Sequence, residues 1–361
     1  GVVGRGWKIR QGGSQAAGIQ NQPQCSIACG MPTAHSLFGR PPDACYYDRP
    51  MTSGTTIQSA PRLPPWIRIR YSGRGTQAAV NDLLKSQALH TVCQGAHCPN
   101  QHECFSRGIA TFMILGDVCT RDCRFCAVTP GSPAPVDPDE PRRVAEAAVQ
   151  LKLRHVVVTS VTRDDLSDGG ATHFAAVIQA LHQSLPGATV EVLTPDFKGV
   201  ERDLDTVIDA GPDVFNHNLE TVRRLQAAIR PAARYDRSLA VLAYVAARMA
   251  RNGASGHGGE TKRLLVKSGL MVGLGETDGE IAEAMADLRK AGVELLTIGQ
   301  YLAPSETHAP VMRFVPPEQF QEFEQAGREM GFLNVAAGPL VRSSYMAESQ
   351  FLAAPKRGAH D

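Results

Sequence analysis

A chain of 361 residues with 43% hydrophobic content is long enough for one sizeable core, and a single α/β barrel would use most of it. Its 37 Lys plus Arg nearly cancel 36 Asp plus Glu, which leaves no overall electrostatic footprint for nucleic acid or an anionic membrane. The longest purely apolar stretch, 239–247, is far short of the roughly 20 residues a membrane-spanning helix needs, so a soluble protein is expected.

Residues 1–60 are rich in Gly, Gln, Ser and Pro and show no helix or strand periodicity, so a disordered extension is expected. Two origins fit it. An organelle transit peptide would explain why 1–42 holds no acidic residue, and an over-extended gene reading would explain why Met51 begins a more ordinary sequence; the second is preferred. It places the protein in a bacterial cytoplasm, whereas the first would place it in a mitochondrion or plastid. Cys25, Cys29 and Cys45 in this segment read as incidental thiols.

An arm is expected over 61–108, extended by prolines at 63–71 and helical in spacing over 76–89. Six of the nine cysteines then fall within 34 residues. A chain with a good core needs no disulfide staples, and no signal-peptide pattern is apparent, so clustered thiolates read as metal ligands in a reducing compartment.

Beyond them, apolar β-branched runs alternate with helical patterns. Strands are expected at 111–115, 155–160, 189–193, 214–219, 265–272 and 295–301, with helical stretches between them such as 141–153, 171–185, 235–251, 278–291 and 317–330. Strand followed by helix, six times, implies parallel pairing and suits a partial (β/α)6 barrel of the TIM type over 109–335, its mouth covered by the N-terminal arm and a C-terminal segment, 336–361. Chemistry in such folds sits at the carboxyl ends of the strands, where the Gly-rich and polar segments of this chain fall. Asp164-Asp-Leu-Ser-Asp-Gly-Gly lacks the twelfth-position glutamate of a calcium loop and reads as a turn. Gly273-Leu-Gly275 is too little for a dinucleotide fingerprint, and no phosphate-binding loop pattern is present.

Cys119-x3-Cys123-x2-Cys126 follows the first strand, with aromatic Phe125 just before its last cysteine. A cubane 4Fe–4S cluster usually takes four thiolates; three leave one iron open. In spacing, aromatic and position the loop resembles that of radical S-adenosylmethionine (SAM) enzymes, in which the amino and carboxylate groups of SAM chelate the open iron. The competing reading is a zinc site, which wants four closed ligands and more often shows C-x2-C pairs.

Cys93-x4-Cys98-x5-Cys104 is a second triplet immediately upstream. His90, His97 and His102 interleave with it and read as solvated or hydrogen-bonding groups, not ligands. Thr91-Val-Cys-Gln-Gly-Ala-His-Cys-Pro-Asn, Ala110-Thr-Phe-Met-Ile-Leu-Gly-Asp, Val157-Val-Thr-Ser-Val-Thr-Arg-Asp-Asp-Leu, Pro212-Asp-Val-Phe-Asn-His-Asn-Leu-Glu-Thr, Lys267-Ser-Gly-Leu-Met-Val-Gly-Leu-Gly-Glu and Arg342-Ser-Ser-Tyr together resemble the lipoyl synthases over about 63–350. The chain departs from that family's pattern at Arg223 and Met346, where proline and histidine are common; neither position is a cluster ligand.

The resemblance implies two 4Fe–4S clusters and SAM as cofactors. Cys119, Cys123 and Cys126 would hold the catalytic cluster. Cys93, Cys98 and Cys104 would hold an auxiliary cluster whose fourth ligand is a serine of Arg342-Ser-Ser-Tyr, Ser344 with Ser343 in reserve. Asn218, Glu220 and Arg230, at or after the fourth strand, either hold the ribose and methionine parts of SAM or are structural. An electron passed to the catalytic cluster would cleave SAM to methionine and a 5′-deoxyadenosyl radical, which abstracts hydrogen from an unactivated carbon. Sulfur from the auxiliary cluster would be inserted at carbons 6 and 8 of an octanoyl chain on a carrier lysine, with two SAM consumed. The implied partners are octanoylated lipoyl domains of 2-oxoacid dehydrogenase acyltransferase subunits, the glycine cleavage H protein, and an electron donor such as ferredoxin or flavodoxin. Biotin synthases and methylthiotransferases, which also insert sulfur, lack this upstream triplet combined with Arg-Ser-Ser-Tyr. An iron-sulfur electron carrier would not need six βα units, and a zinc module would show no iron absorbance.

Overall fold

The computed structural model describes residues 63–69, 74–254 and 263–354, all within the compact unit Arg62–Asp361. The extension expected over 1–60, with Cys25, Cys29 and Cys45, lies outside the described residues. Seven parallel strands follow one another in sequence order: β1 Thr111–Ile114, β2 His155–Ser160, β3 Thr189–Leu193, β4 Val214–Asn216, β5 Leu265–Val272, β6 Leu295–Gln300 and β7 Asn334–Gly338. Helices α1 Glu140–Gln150, α2 Ala171–Ser184, α3 Glu201–Asp209, α4 Tyr235–Ala254, α5 Asp278–Lys290 and α6 Pro317–Glu329 link them. β1, β2 and β6 are buried along nearly their whole length, as parallel strands covered on both faces are.

Local chemistry explains the boundaries. Thr277 and Glu280 form a reciprocal capping box at α5. Asp168 accepts the N–H groups of Gly170 and Thr172, both at 2.9 Å, and sets a carboxylate at the positive end of α2. That uses one acid of the Asp-rich loop as a turn, as expected. β4 stops at Asn216, short of the expected Leu219, because the chain swings inward and rejoins β5 only at Glu220, which takes a left-handed φ of 69°.

The sheet does not close through hydrogen bonds. At one edge His90–Thr91 pairs antiparallel with Phe112 and Met113 of β1; at the other, β7 pairs with β6 alone. Side chains bridge the seam. Asn100 Nδ2 donates to the Leu340 carbonyl at 2.6 Å, the Tyr345 hydroxyl to Glu103 at 3.3 Å, and Arg107 Nη1 to the sulfur of Met346 at 3.1 Å.

The C-terminal segment does more than cover the mouth. Beyond β7 the Val341 carbonyl rests on Gly299 of β6, where any Cβ would collide with it. Helix Ala347–Leu352 then carries Phe351 onto Val214, Leu265 and Leu295, the first residues of β4, β5 and β6, with its ring 5.7 Å from that of His155 at the start of β2. The segment thus runs from the carboxyl ends of the strands to their amino ends.

Beside it, Glu191 and Lys267 form a fully buried pair at 2.9 and 3.2 Å, joined by Asn216 Nδ2 at 3.3 Å and His155 Nε2 at 3.4 Å. Burial alone would raise the Glu191 carboxyl, but Lys267 and then His155 hold it below its usual range. Lys267→Met, which strands that charge, is expected to cost about 3–5 kcal/mol, read as a lower urea midpoint. Lys267→Met with Glu191→Leu should recover most of the loss; a single variant as stable as the parent would mean the pair is not held as a charged one.

Candidate functional site

Leu115 and Gly116, both left-handed with φ of 68° and 93°, turn the chain off β1 into the loop that carries Cys119, Cys123 and Cys126. The loop is pinned on three sides: Thr120 N–H donates to the Thr162 carbonyl at 3.0 Å, Arg124 N–H to Ile229 at 2.9 Å, and Ala309 N–H to Arg124 at 2.8 Å. Cys119 Sγ accepts the backbone N–H groups of Thr162 at 3.3 Å and Arg121 at 3.4 Å. Phe125 packs against the core. Burial pushes the Cys126 thiol up to about 12, with Cys123 and Cys119 adding repulsion; burial also raises Cys123, against the opposing pull of Arg230. Crowded, buried thiols of this kind become good ligands once a cation arrives and displaces their protons.

Among the described residues no three His, Cys, Asp or Glu side chains converge on a point that one metal ion could occupy. Three thiols are the kind of donor an iron-sulfur cubane takes, and the residues present fit that group.

Asn218, Glu220 and Arg230 form a single network next to this loop. Asn218 Nδ2 donates to Glu220 at 3.1 Å, and Arg230 Nη1 donates to the carbonyls of Asn218 at 3.1 Å and Leu219 at 3.2 Å. Burial pushes the Glu220 carboxyl up, opposed by Arg230. Three buried polar atoms here lack a protein partner, Asn218 Oδ1, Arg230 Nε and, at the end of β2, Ser160 Oγ. Such orphans are costly unless a polar ligand satisfies them, which suits the ribose and amino-acid parts of SAM. Gly269 makes room, since a Cβ there would stand 2.8 Å from Asn218 Oδ1.

The second triplet lies at the seam, Cys93 on the short helix Val92–Gly95, Cys104 on Gln101–Ser106 and Cys98 in the link between them; Thr91 caps the first helix, its Oγ1 accepting Gln94 N–H at 3.3 Å. Cys93, Cys98 and Cys104 line one small cavity with Asn100, Arg342 and Ser344. His90, His97 and His102 are not among its lining residues, and His102 Nδ1 instead contacts Gln77 at 2.8 Å. Burial raises Cys93 to about 11 and Cys104 to about 12, with repulsion among the three thiols adding to it, while Thr111 offers Cys93 both its N–H and its hydroxyl. Burial lowers Arg342 as well, opposed by Cys98. Ser343 points elsewhere, its Oγ accepting Asn218 Nδ2 at 2.6 Å.

Sequence reasoning missed the residues that hold these loops. Thr111, Thr120, Arg121 and Thr162 contact thiols or pin them, yet carry no spacing signal. Arg121 is buried, with Nε and Nη2 on Asp164 at 2.7 and 3.0 Å and Nη2 also on Asp196 at 2.7 Å. Burial pushes Asp196 up, but Arg121 holds it at about 2. Of the two departures, Met346 serves the seam, and Arg223 forms surface pairs with Asp236 and Asp287 at 2.5 and 3.3 Å, away from either triplet.

Residues 113–288 match the family model of the radical SAM superfamily. A lipoyl synthase of Caldanaerobacter subterraneus is 54% identical over 287 residues, 80% of this chain and 96% of the relative. That of Nitratidesulfovibrio vulgaris is 52% identical over 301 residues, 83% and 96% of the two chains. That of Thermus thermophilus is 52% identical over 296 residues, 81% and 88%.

Because Gly299 lets the tail seat on β6, Gly299→Ala is expected to cost about 1–3 kcal/mol of local stability, seen as faster amide exchange over 339–346. Exchange there at the parental rate would mean that the tail does not need this contact.

Proposed function

The chain belongs to the lipoyl synthase family within the radical SAM superfamily, and from that premise we propose that its two thiol triplets hold two 4Fe–4S clusters with separate tasks. The activity is that of a radical SAM sulfurtransferase, which inserts two sulfur atoms at carbons 6 and 8 of a protein-bound octanoyl-lysine. Saturated methyl and methylene C–H bonds offer no acidic proton to a general base, so the chemistry falls to a cofactor. When bound, SAM and its 4Fe–4S cluster supply a carbon radical able to take hydrogen from such a carbon. Cys119, Cys123 and Cys126 would hold three irons of that cluster and leave the fourth to SAM. Phe125 would pack beside it, while Asn218, Glu220 and Arg230 receive the polar groups of SAM, a role their orphaned atoms support.

The auxiliary cluster would be the sulfur source and so a substrate. The observation that supports its site is the cavity shared by Cys93, Cys98, Cys104 and Ser344, residues brought together from distant parts of the chain. A serine oxygen is a weaker iron ligand than a thiolate and leaves more easily when the cluster gives up sulfur. Ser344 fits that task better than Ser343, whose oxygen is already engaged by Asn218.

The substrates are octanoylated carrier proteins. Acyltransferase subunits of 2-oxoacid dehydrogenases and the glycine cleavage H protein are the proposed carriers, with ferredoxin or flavodoxin as electron donor. We propose a cytoplasmic location, by likeness to lipoyl synthases of bacteria. The six described cysteines form no disulfide, and no helix among the described residues is long and apolar enough to cross a membrane.

Anaerobic purification is expected to yield about eight irons and eight sulfides per chain, as two cubanes require; about four would remove the auxiliary cluster. Ser344→Ala should still release 5′-deoxyadenosine but form no lipoyl product on an octanoylated carrier peptide. Ser344→Cys should retain cluster yet turn over poorly, because a fourth thiolate resists displacement. Full lipoyl formation by both variants would end the ligand role of Ser344.

A further inference from the structure

We propose that Thr120 and Arg121 are positioning residues that hold two backbone N–H groups on the Cys119 sulfur and thereby raise the reduction potential of the cluster bound there. The inference rests on the assignment of that cluster to Cys119, Cys123 and Cys126, and adds a role to residues outside the ligand set.

The geometry is a zipper between 119–121 and 162–164. Cys119 Sγ takes the N–H of Thr162 at 3.3 Å. Thr120 doubles the next contact, its N–H and hydroxyl both donating to the Thr162 carbonyl at 3.0 and 2.9 Å, and its Oγ1 accepts Asp164 N–H at 3.0 Å. Arg121 ends the zipper with its two-pronged pair to Asp164 and its third bond to Asp196. Its own N–H is the second donor to Cys119, at 3.4 Å. Asp196 is fixed in turn by Arg237 at 3.2 Å and by Lys198 N–H at 3.1 Å, and Lys198 Nζ reaches the Asp164 carbonyl at 3.0 Å. Most links beyond the sulfur are charged or doubled contacts, and the Arg121 and Asp196 side chains are almost wholly shielded from water.

Such rigidity exceeds what a surface loop needs. Its effect is to keep two N–H dipoles aimed at one sulfur. Reduction adds negative charge to a cluster and spreads it onto the ligand sulfurs, so N–H donors stabilise the reduced form more than the oxidised one. Two fixed donors on Cys119 therefore ease electron entry. The guanidinium fork of Arg121 cannot be replaced by the point charge of a lysine without losing the angle it sets.

The test is an EPR-monitored potential titration of the two-cluster protein, using the SAM-sensitive signal for the Cys119 cluster and the auxiliary signal as an internal control. Thr120→Val removes both hydroxyl bonds at nearly constant volume. It should lower the reduced-to-oxidised ratio at fixed potential about tenfold, which for one electron is about 59 mV. Arg121→Lys should shift it in the same direction, Thr120→Ser should titrate like the parent, and the auxiliary cluster should not move. Parental potentials in both Thr120→Val and Arg121→Lys, with iron content intact, would overturn the inference. A parent protein with no SAM-sensitive cluster signal would instead overturn the cluster assignment on which the inference stands.

Discussion

A parallel sheet of seven strands that stops short of closure leaves two edges, and each edge carries backbone groups that must be paired, covered or wetted. This chain covers them with its own ends. The segment before β1 folds against one edge, the segment after β7 comes from the other, and the two meet through Asn100 with Leu340, Glu103 with Tyr345 and Arg107 with Met346. The cavity with Cys93, Cys98, Cys104 and Ser344 lies on this join. The seam left by the incomplete sheet is thus what gives this second group of thiols its place.

One hydrogen bond ties the two sets together. Asn218 Nδ2 serves both Glu220, in the network beside Cys123, and Ser343, the neighbour of Ser344. The tail and the network thus share one hydrogen-bond donor. The same tail ends on Phe351 against His155, next to the Glu191 and Lys267 pair. Its two ends thus reach the Asn218 network and the His155 ring that borders the buried pair.

Much of this was legible in the chain. The six expected barrel strands appear within a few residues of their expected bounds because each is a run of apolar, often β-branched residues between polar turns. β7 was missed because Asn334-Val-Ala-Ala-Gly has a single β-branched residue; pairing with β6, not propensity, makes it a strand. α3 was overlooked because its Glu-Arg-Asp-rich start hides the apolar side that buries Leu204, Val207 and Ile208. At the site, cysteine spacing pointed to both triplets, and the Arg-Ser-Ser-Tyr likeness to Ser344. What spacing could not reveal were contacts made across the fold, such as Thr162 on Cys119 or Thr111 on Cys93, since any donor in the right place suffices.

On the proposed ligand assignment, the order of these residues along the chain has a consequence in time. Cys93, Cys98 and Cys104 leave the ribosome before any barrel strand exists, and Ser344 follows only after the last of them. At roughly 5–20 residues per second, translation alone separates Cys104 from Ser344 by something on the order of 10–50 s. Throughout that interval Cys93, Cys98 and Cys104 stand without Ser344, and the tail that carries it has yet to be made. A cluster delivered early would meet an open, three-point cradle; one delivered late would meet a finished wall. On the proposed assignment, that site is complete only once Ser344 has been made.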